Sequence, residues 1–135
     1  MLVKKVITFS LLLGLLSCHK DGRLGGKTTL CFYPQWQSPN SNSSSTVNGA
    51  TIYIWFDGTN AVNFTPKDTA LADIKKTAAT NDALLQIDHL ASGNYAWRIN
   101  AKQPLGNGIL TVSGTTTIGW KDRNKTITTY PQLHY

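Results

Sequence analysis

The side chains of this chain that could perform chemistry are few and scattered. Three histidines, His19, His89 and His134, stand far apart, and no two have the short separation that puts two imidazoles on one metal ion. The seven acids are all aspartates, because glutamate is absent. Hydrolysis by a serine or cysteine nucleophile needs a histidine base and an orienting acid, and no Gly-x-Ser-x-Gly elbow occurs. The run Gly25-Gly26-Lys27-Thr28 has the ending of a phosphate-binding loop, but that motif needs glycine at position 21, where Asp21 stands. The expectation is therefore no catalytic residue, no metal, no cofactor, and a protein that is not an enzyme. What remains is recognition. Four tryptophans in 135 residues exceed what a small core needs, and Tyr53, Trp55 and Trp36 are the candidate binding residues, flat rings suited to stacking on a sugar or docking a protein partner.

The first residues read as an address. Lys4 and Lys5 precede an apolar run from Val6 to Leu16, about a dozen residues, whereas a membrane span needs roughly 20. Residues 1–17 thus have the form of a secretory signal peptide. The run ends in Leu15-Leu16-Ser17-Cys18, which resembles the lipobox of bacterial lipoproteins. The resemblance implies lipidation of Cys18, removal of residues 1–17 and attachment to a membrane by the lipid. Residues 18–27 then form a flexible tether whose Lys20, Arg23 and Lys27 lie near lipid headgroups. Loss of Lys4 and Lys5 lowers the formal charge from +6 to +4, a mild basic bias and no nucleic-acid footprint. With Cys18 carrying lipid, Cys31 has no disulfide partner, and its context Leu30-Cys31-Phe32-Tyr33 is that of a small buried hydrophobe on a strand.

From Thr28 onward the apolar residues come in short runs bounded by Gly, Asn, Pro and Ser, the pattern of strands and turns. Ala50 to Phe56 alternates most clearly, with Ile52, Ile54 and Phe56 on one face and Thr51, Tyr53 and Trp55 on the other. Tyr95, Trp97, Ile99 and Ala101 line one face of a later strand, and further runs cover 108–113, 115–120 and 125–130. Thr65 to Asp82 fits two descriptions. One is a three-turn amphipathic helix capped by Thr65; the other, preferred, is a short helix near 66–72 followed by a strand over 73–80. The count of roughly seven to eight strands predicts an all-β fold, a single β-sandwich of Ig-like type over residues 28–135.

Two segments carry a resemblance. Asn48-Gly49-Ala50 before Ile52 and Ile54, and Leu85 through Leu90-Ala91-Ser92-Gly93-Asn94-Tyr95, are similar to the signature of prealbumin-like sandwiches of the carboxypeptidase-regulatory and Cna-B-like kind. In that signature a Leu closes a corner, a Gly permits the turn and a Tyr starts the returning strand, roles that fall here on Leu90, Gly93 and Tyr95. Cna-B-like domains sometimes form a Lys–Asn isopeptide bond beside a buried acid, for which only an Asp such as Asp57 or Asp88 is on offer. Lipobox and sandwich together resemble the small outer-membrane lipoproteins of Bacteroidota, which implies a cell-envelope location. Three functions follow: an accessory module that binds an envelope protein; a glycan-binding lipoprotein using Tyr53 and Trp55; or a minor subunit or anchor of a fimbrillin-type surface fibre. The last would be marked by an unpaired edge strand able to accept a partner's strand.

Overall fold

The computed structural model describes residues 24–40, 42–56 and 69–135. Ten strands follow in chain order: β1 Leu24–Phe32, β2 Gln35–Gln37, β3 Ser44–Thr46, β4 Thr51–Trp55, β5 Ile74–Thr77, β6 Leu85–Leu90, β7 Gly93–Lys102, β8 Ile109–Ile118, β9 Thr126–Thr129 and β10 Gln132–His134. A single turn of 3-10 helix, Trp120–Asp122, separates β8 from β9. The fold is all-β and sandwich-like, as the alternation predicted.

One layer is the four-stranded sheet β5-β4-β7-β8, antiparallel throughout. The other consists of two three-stranded sheets, β6-β1-β9 and β10-β2-β3. They are one layer interrupted by prolines: β1 passes into β2 through Pro34, and β9 passes into the parallel-paired β10 through Pro131. Proline has no N–H to donate, so the ladder breaks at both points. It resumes through Tyr33 N–H to Thr129 O (2.9 Å) and Gln35 N–H to Pro131 O (2.8 Å), and the rings of Tyr33 and Tyr130 stack at 5.7 Å over the gap.

The two layers close on one core. Ile52 and Ile54 from β4, Tyr95, Trp97 and Ile99 from β7 and Ile118 from β8 meet Leu30 and Phe32 from β1, Leu85, Ile87 and Leu90 from β6, and Leu133 from β10. Burial of these side chains away from water is the main favourable term holding the layers together. Tyr95 is fully buried, and its hydroxyl is satisfied by the carbonyl of Ala91, so the corner expected at Leu90 and Tyr95 is closed by both packing and a hydrogen bond.

Several expectations change in detail. The runs 108–113 and 115–120 form one strand, β8, of ten residues. Gly114 is no turn there: a Cβ at that position would stand 2.4 Å from Cζ2 of Trp97, so glycine makes room for the indole. β1 begins at Leu24 and not at Thr28, with a bulge between Leu24 and Thr28 opposite Leu90. Gly26 sits in the bulge, where a Cβ would be 2.1 Å from the Leu90 carbonyl oxygen. The three-turn helix over 65–82 is not formed, because Ile74–Thr77 is strand β5, paired with β4 from Ile54↔Ile74 to Thr51↔Thr77. The short helix near 66–72 falls mostly outside the described residues, and Ala72 N–H bonding to Thr69 O marks a turn at its end. Cys31 is buried and free, as expected, and burial pushes its thiol pKa up, with the nearby Asp88 charge adding to the effect.

Candidate functional site

β4 carries its side chains as the alternation requires: Ile52 and Ile54 enter the core, while Thr51, Tyr53 and Trp55 take the outer face. Opposite them in register on β7 stand Asn100, Arg98 and Ala96. The outer face is not an open aromatic platform. Trp55 is only 6% exposed, packed with Ala96, Tyr53 and Ala72 in a second small hydrophobic cluster. The expectation that Trp55 presents a ring to a ligand is corrected: a small residue, Ala96, directly across from it leaves space for the indole to lie down on the sheet.

Tyr53 is half-buried and keeps one side open. Its ring lies 6.5 Å from that of Trp55, and the Lys75 ammonium stands 5.8 Å from its centroid. Tyr53 borders a shallow depression of about 370 Å³ with Thr51, Asn100, Lys102, Asn107 and Ile109. This combination of one ring, amides, a hydroxyl and a cation suits a polar ligand held by hydrogen bonds over an aromatic edge.

Trp36 is not part of that site. It lies on β2 in the opposite layer, packs on the main core and meets Tyr135 edge-on at 5.9 Å. The structure thus joins Tyr53 to Trp55 and separates both from Trp36. Trp97 is buried, with its indole N–H given to Thr116 Oγ1 (3.0 Å) and its ring against Phe32 at 5.2 Å. Trp120 alone of the tryptophans is open, 69% exposed beside a concavity of about 720 Å³. The sequence hint was its setting: Trp120 follows Gly119 and leads a polar, basic run to Lys125, which is a poor context for a strand.

Among the described residues the titratable groups are spread over several strands. Among the described residues no group of three His, Cys, Asp or Glu comes together as metal ligands. His89 and His134 are exposed at the ends of different strands, β6 and β10. Asp88 is exposed and accepts hydrogen bonds from Gln86 Nε2 (3.0 Å) and Thr29 Oγ1 (2.9 Å), which hold its carboxyl below the usual carboxylate range. It is therefore not a buried acid of the isopeptide kind. His19, Asp57 and the lipidation candidate Cys18 lie outside the described residues.

The edges of the sheets differ in a way the sequence did not advertise. β5 carries Lys75 and Lys76, and β6 carries Asp88 and His89; β3, β9 and β10 are three or four residues long. Charge and shortness are the common protections of an exposed edge. β8 has neither: its ten residues ILTVSGTTTI hold no charge and no proline, and among the described residues it is the last strand of its sheet, bonded only to β7.

Fold and surface together define a small β-sandwich with a long unguarded edge and no assembled catalytic group among the described residues. No protein-family model matches the chain, and no curated protein matches it. A solved structure from Pseudomonas aeruginosa, provisionally described as a carbohydrate binding protein, is similar at 10% identity and a TM-score of 0.49, over 84% of this chain and 92% of that one.

Proposed function

We propose that this chain is a non-catalytic protein-binding module, held at the cell envelope by lipid on Cys18, which engages its partner by strand addition to β8. The observation that carries the reading is the β8 edge. An unpaired strand leaves a row of backbone N–H and C=O groups without protein partners, and a second chain laid alongside satisfies them. Ten residues give room for an extended segment of matching length, and the absence of charge on β8 means nothing on it repels a hydrophobic or neutral strand. The signal-like residues 1–17 and Cys18 support an envelope location, the Bacteroidota-type outer membrane being the setting that the lipobox resemblance suggests. A fibre subunit is the specialised form of the same chemistry, in which the incoming strand belongs to the neighbouring subunit.

A second reading is favoured by one observation of its own. The depression beside Tyr53, with Thr51, Asn100 and Asn107 on its walls, has the donors and acceptors that sugar hydroxyls require. Under this reading an oligosaccharide sits on the outer face of the four-stranded sheet and leaves β8 unpaired.

The discriminating experiment is an affinity purification of the tagged, crosslinked protein from detergent-solubilised membranes of its host, analysed by mass spectrometry. A partner recovered in stoichiometric amount is the expected result. Absence of any partner, together with saturable quenching of tryptophan fluorescence by an oligosaccharide, would overturn the protein-binding reading in favour of the glycan one.

A further inference from the structure

We propose that the end of the sandwich at which β1 begins is a membrane-docking face, seated on anionic lipid headgroups through Trp120, Lys27, Lys121 and Arg123. The inference rests on the lipid anchor at Cys18 that forms part of the proposed function, and adds to it a surface of the folded domain.

The length of the tether fixes which end faces the lipid. β1 starts at Leu24, which is 52% exposed, and the chain from Cys18 to Leu24 spans at most about 20 Å when fully extended. A bilayer that holds acyl chains on Cys18 therefore lies within that distance of the residues around Leu24. Topology decides which residues those are. β6 runs antiparallel to β1 and ends at Leu90, β7 starts just after it at Gly93, and β8 ends at Ile118 opposite Gly93. The turn Ala91-Ser92 and the segment Trp120–Asn124 thus gather beside the start of β1, where they line the concavity of about 720 Å³ together with Gly26 and Lys27.

The chemistry of this end matches an anionic interface. Trp120 projects into solvent with the Lys121 ammonium 5.6 Å from its ring centroid, and Arg123 Nε donates to the Trp120 carbonyl at 3.2 Å, which holds that cation against the same rim. Lys27 also lines the concavity, and among the described residues no carboxylate does. The nearest acid in sequence, Asp122, is turned away to accept the Gly119 N–H at 2.9 Å. An indole favours the headgroup level of a bilayer, where its apolar body and its N–H are both satisfied. Basic side chains near an anionic leaflet each strengthen attachment, about fivefold apiece. The opposite end of the sandwich, with β2, β3 and β10, then points away from the membrane, and the whole length of β8 stands upright between the two.

The test uses the native lipoprotein, extracted in detergent and reconstituted into vesicles of phosphatidylethanolamine and phosphatidylglycerol with brominated acyl chains. Tryptophan emission is expected to be quenched in the wild type, and Trp120→Phe is expected to remove the quenched component, since Trp55 and Trp97 are buried and Trp36 packs in the fold at the far end. The double variant Lys121→Gln/Arg123→Gln, and the wild type in phosphatidylcholine vesicles, are both expected to show weaker quenching. The mass of the purified protein is read in parallel. Acyl mass on Cys18 with unquenched emission, or quenching that survives Trp120→Phe, overturns the docking face and leaves the anchor standing. Absence of acyl mass on Cys18 overturns both.

Discussion

Replacement of Gly114 by alanine probes the centre of the fold with a single methyl group. A Cβ at position 114 would stand 2.4 Å from Cζ2 of Trp97 and 2.9 Å from two further ring atoms, well inside contact distance. The indole has little freedom to retreat. Phe32 lies edge-on to it at 5.2 Å, and its N–H is committed to Thr116 Oγ1 at 3.0 Å. Overpacking of this kind costs about 1–3 kcal/mol, and displacement of the ring adds about 1 kcal/mol for the strained or lost hydrogen bond. Alanine returns about 0.5–1 kcal/mol by restricting the unfolded chain. The net expectation is a loss of about 2 kcal/mol, read by urea denaturation of the folded domain as a midpoint about 1–2 M lower with the slope unchanged. The mechanism is specific to the pair, so Gly114→Ala in a Trp97→Phe background should cost less than 1 kcal/mol, leaving a coupling energy of about 1 kcal/mol or more. If Gly114→Ala shifts the midpoint by less than the error, or costs the same with and without the indole, the close approach of β8 to Trp97 is not what holds a glycine there.

Two further outcomes follow from single residues. Tyr95→Phe removes the hydroxyl that bonds the Ala91 carbonyl across the β6–β7 corner, leaving that acceptor short of a partner, and should lower stability by about 1–2 kcal/mol in the same urea assay. Asp88 has its carboxyl pKa lowered from 3.8, first by the Gln86 hydrogen bond and then by Thr29. A depressed folded-state pKa gives stability that is present above the unfolded value and lost as pH falls through the folded one. The urea midpoint of the wild type should therefore decline below about pH 4, and Asp88→Asn should flatten that part of the decline; an identical acid limb in the variant would refute the assignment.

Much of the fold was legible because its central strands obey a local rule. In Ala50–Phe56 and Tyr95–Ala101 the period-two alternation names the core face directly, and Ile52, Ile54, Tyr95, Trp97 and Ile99 are buried as it required. The strands β2, β3 and β10 were not legible. Each has three residues, too few for a period; β2 and β10 are joined across the length of the chain, Gln132 pairing with Gln35, and β3 rests on β2 alone among the described strands. Gly114 misled for a related reason: a glycine inside a run signals a break by local rules, whereas here it answers the volume of a side chain on the neighbouring strand. The candidate site was legible only by halves. Alternation put Tyr53 and Trp55 on one face, but whether that face is open depends on residues brought from elsewhere, and Ala72 and Ala96 cover Trp55. The vulnerability of β8 could not be read at all, because an edge is a property of strand order, which nothing in the run ILTVSGTTTI encodes.

The central claim is that a partner strand adds to β8, and photocrosslinking in cells of the native host tests it most directly. A benzophenone amino acid placed at exposed Thr115, in the middle of β8, is compared with the same probe at exposed Thr80, in the turn between β5 and β6. Strand addition predicts one dominant adduct from position 115, joined to an extended segment of the partner, and none from position 80. A partner captured from position 80 or from the Tyr53 face, with no adduct from β8, would contradict it.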